Sequence, residues 1–161
     1  NVCAVARYAA KVLGVTQIFI DSLMKCVQGE DDYNGQKAFV DELTAIARDY
    51  GVHIHLVHHI KKPANEEHAP NKYDLKGTGA VSDLVDNVVL VWRNKVKERK
   101  REEKKLTEED EERDPDTVLI CDKQRNGEWE GKIGLWFDKP SQQFLGIHGA
   151  EPLQLYIDPS E

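Results

Sequence analysis

Apolar positions along the chain switch between a helical and a strand-like period. Val2, Val5, Ala6, Ala9, Val12 and Leu13 recur at helical spacing, and Gly14 supplies a stop. Residues 15–21 follow as a short apolar run rich in β-formers, the pattern of a strand buried on both faces. A polar loop, KCVQGEDDYNG, covers residues 25–35. Phe39, Val40, Leu43, Ile46 and Ala47 then share one face of a helix over residues 36–50, ended by Gly51. Residues 52–59 (VHIHLVHH) form a second short strand, and residues 61–76, with two prolines and no period, a long loop. Residues 77–87 predict a short helix with glycines at its entry, and residues 87–93 (NVVLVWR) a third buried strand.

The next stretch breaks the pattern. Residues 95–116, KVKERKREEKKLTEEDEERDPD, are basic, then acidic, with only Val96 and Leu106 apolar. Such a segment lacks the surface to build core, so a solvated helix, helical hairpin or disordered insert is expected. Strand character returns over residues 117–123, Asn126-Gly127 is a hairpin signal, residues 132–138 form the return strand, and residues 143–147 are expected to pair with it. Alternation followed by hairpins predicts an α/β fold: a mostly parallel sheet flanked by helices, with an antiparallel hairpin or meander at its C-terminal edge.

Composition narrows the class. The 161 residues, 40% hydrophobic and 32% charged, fit one soluble domain. No stretch approaches the ~20 apolar residues of a membrane span, and no secretory leader is present, so a cytoplasmic protein without a membrane partner is expected. Cys3, Cys26 and Cys121 form no paired pattern, which fits a reducing compartment. The net charge of −7 does not advertise a nucleic-acid binder, although a local basic loop can bind phosphate on an acidic protein.

Polar groups collect where strands end. Asp21 closes the first strand, at the carboxyl edge where open α/β folds place ligands, and a carboxylate there suits the Mg²⁺ of a nucleotide. On its own it equally suits a cap for the next turn. His58 and His59 end the second strand, and Lys123 and Arg125 close the fourth, at i and i+2 on one side. An exposed hairpin tip with solvated charges explains the latter pair equally well. His53 and His55 share the opposite face from His58, so the four histidines cannot form one metal site; hydrogen-bonded, partly buried rings are expected for His53 and His55. Trp92, Trp129 and Trp136 read as packing residues.

Taken together, IFIDS (18–22), LVHHIKKP (56–63), KGTGAVSDLVDNVVLVWRN (76–94) and ICDKQRNGEWEGKIGLWFD (120–138) resemble the RecA-like motor domain of hexameric replicative DNA helicases, DnaB-like and phage primase–helicase-like, over residues 2–145. The resemblance implies a RecA-like core over residues 1–147, interrupted by the charged insert at 95–116 and followed by a tail at 148–161. It makes IFIDS the Walker B strand, with Asp21 holding Mg²⁺ and Ser22 beside it in the nucleotide-binding set. It makes His59 the γ-phosphate sensor and Lys61 and Lys62 contacts to single-stranded DNA, with Lys72 and Lys76 as secondary ones. Arg125 becomes an arginine finger acting with Lys123 on the neighbouring subunit's ATP. The implied protein is an ATP-driven ring, a hexamer, from a phage, prophage or plasmid system, with primase as a further partner.

The sequence also departs from that family. No GxxxxGK[ST] loop occurs, and no upstream catalytic Glu is identifiable. The chain is therefore expected to be the C-terminal portion of a longer protein and not to hydrolyse ATP alone. Three other readings stand beside this one: a non-catalytic RecA-like DNA-binding or assembly module, a RecA- or RepA-like recombination or plasmid-replication ATPase, and a metal-dependent hydrolase using Asp21, His58 and His59.

Overall fold

Helix α1 (Val2–Lys11) begins where the Asn1 side chain accepts the Cys3 N–H, and it leads into strand β1 (Gln17–Asp21). Helix α2 (Tyr33–Tyr50) starts earlier than the apolar period suggests, because the Asp32 carboxylate accepts the Gly35 N–H at 2.9 Å and caps it. It stops at Gly51, whose φ of 65° lies in the left-handed region. Strand β2 (His53–Val57) then pairs parallel with β1, Gln17 opposite His53 and Asp21 opposite Val57. The computed structural model describes residues 1–29, 31–61, 69–75 and 79–154.

A second sheet follows. Short helix α3 (Ala80–Leu84) feeds strand β3 (Asn87–Arg93). Helices α4 (Lys95–Glu102) and α5 (Glu108–Arg113) intervene before strands β4 (Thr117–Gln124), β5 (Gly131–Asp138) and β6 (Gln143–Leu145). The order β3-β4-β5-β6 is antiparallel throughout. The mixed α/β class expected from the pattern is therefore present, but among the described strands antiparallel pairings outnumber the single parallel one.

Three apolar clusters hold these parts together. Cys3 and Ala6 of α1 and Leu43 and Ile46 of α2 bury Ile20 of β1 and Val52. Leu23, Val40 and Val81 dock α3 onto α2, and Val88, Leu90 and Ile120 form the core of the antiparallel sheet. Val85 packs against both of the latter, and a bridge between Ile60 and Leu75 ties the end of β2 to the stretch preceding α3.

The expectation that the strands are buried on both faces is corrected. Phe19 is 72% exposed on the face opposite Ile20, and Val89 and Val91 are exposed opposite Val88 and Leu90. Both long helices pack on the Ile20 face, so only alternate residues are covered. Phe19 stacks on His55 at 4.2 Å, and His55 bonds to the Gln17 side chain at 2.9 Å, which accounts for one of the two histidines expected to be satisfied.

The charged stretch is also more ordered than its composition suggests. Lys97 is 2% exposed, the largest of the fully buried side chains among the described residues. Its ammonium donates to the backbone oxygens of Glu111 (3.0 Å) and Asp114 (2.6 Å) and pairs with the carboxylates of Glu111 (3.1 Å) and Asp116 (3.2 Å). Arg101 bonds the same two carboxylates, Asp116 accepts the Phe137 N–H, and the Trp136 N–H donates to the Glu111 oxygen. The insert thus closes onto β5 through satisfied charge, not through apolar surface.

Candidate functional site

Asp21 is the last residue of β1, and its side chain is exposed. The chain turns sharply after it: the Asp21–Ser22 peptide is cis, and Ser22 is 2% exposed as the residue before a 3₁₀ turn, Leu23–Lys25. Only the carboxylate of this pair therefore faces solvent. Because β1 and β2 run parallel with Asp21 opposite Val57, His59 follows two residues beyond the end of β2, exposed on the carboxyl side of that strand. The two expected residues thus follow the carboxyl ends of neighbouring parallel strands.

Immediately after His59 the backbone is tied down. The Lys61 N–H donates to the Asp74 oxygen at 2.7 Å, while the Lys61 side chain is exposed. Lys72 is half-buried: its N–H donates to the Asp122 carboxylate at 2.5 Å and its ammonium to the Asp122 backbone oxygen at 3.0 Å. Its charge is thus engaged within the chain, whereas the Lys61 ammonium has no partner among the described residues. Lys62 and Lys76 lie outside the described residues.

Lys123 and Arg125 sit together on the far end of β4, past the last residue that pairs with β5. Their partners come from α3 and the residues after it. Lys123 donates to the backbone oxygens of Ser82 (2.7 Å) and Asp83 (3.0 Å). Arg125 donates to the Asp83 oxygen (2.9 Å) and pairs with the Asp86 carboxylate (3.0 Å). Burial, and after it the Arg125 charge, hold the Lys123 ammonium below its ordinary pKa, opposed by Asp83 and Asp86. The hairpin tip is longer than Asn126-Gly127 alone: residues 125–130 connect the strands. Arg125 remains half-exposed, and an ion pair in that setting contributes about 0–1 kcal/mol, so its head is held without being locked.

Among the described residues, no hydrogen bond or ion pair joins the Asp21–His59 edge to the Lys123–Arg125 pair. A groove of about 790 Å³ between α4 and the β5–β6 hairpin is lined by Arg93, Glu98, Phe137 and Phe144 and contains none of the four. The chain thus carries two polar groups, an exposed Asp21–His59 pair and a pair in which Lys123 is half-buried and Arg125 half-exposed.

Residues 1–146 match the model of the DnaB-like helicase C-terminal domain. The chain belongs to that family. It is therefore a member of a replicative-helicase family whose enzymes are NTP-hydrolysing. A solved DnaB-like replicative helicase, described with its interactions with primase, is similar in fold: TM-score 0.66, 18% identity, covering 89% of this chain. This chain spans 34% of that one. No curated protein matches.

For a DnaB-family chain, ATP and Mg²⁺ are the groups to test against these residues. Mg²⁺ at nucleotide sites is held by one or two carboxylates together with phosphate oxygens. An exposed Asp21 at a strand end fits that mode. A free-standing metal cage does not fit: the described residues contain no group of three or more His, Cys, Asp or Glu able to hold an ion. The hydrolase reading on Asp21, His58 and His59 thus finds no support, since His58 is half-buried where His59 is exposed. Among the described residues no helix is long and apolar enough to cross a membrane.

Asp86 and Asp122 are the polar residues that sequence reasoning missed. Asp86 immediately precedes β3, and Asn87 pairs with Gln124, which places Asp86 across from Arg125. An acid at a strand start opposite a cation at a strand end was the available signal.

Proposed function

We propose that this chain is the part of an ATP-dependent, ring-forming replicative DNA helicase that supplies two non-contiguous walls of nucleotide sites shared between protomers. Asp21 and His59 face the triphosphate of their own protomer, with Ser22 shaping the turn behind them. Lys123 and Arg125 reach the triphosphate of the next. The single observation that supports this is a pair of compact polar groups at strand ends, Asp21–His59 and Lys123–Arg125, with no hydrogen bond or ion pair between them among the described residues, on a chain of this family. A cation pair with no nucleotide wall of its own belongs at an interface, and a head-to-tail ring, here a hexamer, repeats that interface at each junction.

The chemistry suits phosphoryl transfer, which is mostly positioning and charge stabilisation. Mg²⁺, when bound with ATP, neutralises charge on the phosphate oxygens. Asp21 is the residue of this chain that would hold it. His59 is placed to exchange a hydrogen bond with a terminal phosphate and to pass that contact through Ile60 and Lys61 to the segment that begins there. Arg125 suits a finger because its planar fork stays charged and binds phosphate in a bidentate way. Lys61, with Lys62 and Lys76, supplies the contacts to the single-stranded DNA backbone, and Lys72 joins them only on leaving Asp122. Such contacts are sequence-independent and weaken with salt. The replicon is of phage, prophage or plasmid type, and primase is a further partner of the ring.

In the full-length protein, Asp21→Asn is expected to lower single-stranded-DNA-stimulated ATP turnover by about a hundredfold or more, as loss of a preorganised charge at a reacting phosphate does. A steady-state phosphate-release assay reads this. Turnover equal to the parent would remove Asp21 from the site.

A further inference from the structure

The two cations at the end of β4 pose an electrostatic problem that the motif itself does not solve. Lys123 and Arg125, two residues apart at the end of β4, repel each other, and burial first and then the Arg125 charge hold the Lys123 pKa down. A long arginine at a hairpin tip also has many rotamers, and a finger that must meet a phosphate on another protomer works only from a narrow range of positions. Something has to gather the pair and aim it.

The segment from Ser82 to Asp86 does so with several bonds. The backbone oxygens of Ser82 and Asp83, at the C-terminal end of α3, accept from the Lys123 ammonium at 2.7 and 3.0 Å. The Asp83 oxygen also accepts from Arg125 at 2.9 Å. The Asp86 backbone oxygen accepts the Arg125 N–H at 2.8 Å, and the Asp86 carboxylate takes the guanidinium at 3.0 Å. The carboxylate therefore acts on the side chain alone, while the main-chain bond fixes the strand end independently of it. The two guanidinium contacts leave the remaining N–H donors of Arg125 unengaged among the described residues, with the side chain half-exposed. A guanidinium held on one edge and open on the other is set to receive an anion.

We propose that Asp86 is a positioning residue for Arg125: its carboxylate orients the guanidinium toward the neighbouring protomer's phosphate. The inference rests on the finger reading given above. It adds a residue outside the KQR motif and names the α3 end as the platform. Asp86 touches no substrate and contributes only through Arg125.

The test uses the full-length protein with single-stranded DNA and ATP, and compares the parent with Asp86→Asn, Asp86→Glu, Arg125→Ala and the double variant Asp86→Asn/Arg125→Ala. Asp86→Asn is expected to lower kcat by about tenfold while KM for ATP stays within about twofold, because orientation, not ground-state binding, is lost. Asp86→Glu is expected to recover most of that loss. In the Arg125→Ala background, Asp86→Asn is expected to add nothing, since its only route is gone. An unchanged or raised kcat in Asp86→Asn, no recovery with Glu, or a further loss in the double variant would each overturn the proposal. If Arg125→Ala itself leaves turnover intact, the finger reading has failed and the positioning role falls with it. If Arg125→Ala abolishes turnover and Asp86→Asn matches the parent, only the positioning role has failed.

Discussion

Arg125→Ala in the full-length protein is expected to cut DNA-stimulated ATP turnover by about 10³-fold or more while leaving nucleotide affinity nearly unchanged. The asymmetry follows from where the residue sits. In the proposed reading Arg125 serves the next protomer's nucleotide, and its partners in its own chain are Asp83 and Asp86, so removing it leaves Asp21 and His59 without a lost contact. Its contribution arises only as charge redistributes on the transferring phosphoryl group, which is the condition for affecting kcat more than binding. Arg125→Lys is expected to recover little of the loss, because an ammonium lacks the planar fork. A phosphate-release assay paired with equilibrium binding of a fluorescent ATP analogue reads both quantities. Loss of binding in step with turnover would place Arg125 in its own protomer's pocket.

The second large effect concerns stability. Lys97→Met is expected to cost about 3 kcal/mol in urea unfolding, the range for breaking a buried ion pair from one side. Methionine matches the length of the stem but abandons the oxygens of Glu111 and Asp114 and leaves the carboxylates of Glu111 and Asp116 with Arg101 as their remaining cation. The same cluster sets an acid limit. Burial by itself would raise the Asp116 carboxyl, but the Phe137 N–H, Arg101 and Lys97 together hold it below the ordinary value. Glu111 behaves alike: burial is outweighed by Arg101 and Lys97. With folded values depressed, the stabilisation is complete above the ordinary carboxyl values and drains away as pH falls through them toward the folded ones. Urea midpoints followed from neutral to acid pH should therefore drop for the parent and drop less for Lys97→Met. Equal acid sensitivity in the two would mean that Lys97 does not hold these carboxylates.

The contrast between what the residue pattern revealed and what it hid has a common cause. Elements whose stability comes from local period and caps were legible: the 3.6-residue spacing located α1 and α2, and the short apolar runs located β1, β2 and β3. Asp21 and His59 were legible for the same reason, since each ends such a run. Lys97 was not. A lysine scores as solvated in any composition, and it becomes buried only because carbonyls 14 and 17 residues later fold back to meet its ammonium. Asp86 was hidden similarly: it meets Arg125 across the β3–β4 ladder, a pairing that the intervening charged stretch disguises. The open face of Phe19, Val89 and Val91 escaped notice because continuous apolar runs do not report which side is covered.

The central claim, that each nucleotide site is divided between two protomers, has a direct measurement. Full-length Asp21→Asn and Arg125→Ala chains, each inactive alone, are mixed, allowed to reassemble, and assayed for ATP turnover with single-stranded DNA. If the walls are shared, interfaces that combine the intact Asp21 of one chain with the intact Arg125 of the other form in the mixture, and turnover returns. A reassembled mixture as inactive as its components would show that Asp21 and Arg125 must lie in the same chain to act, and would contradict the shared site.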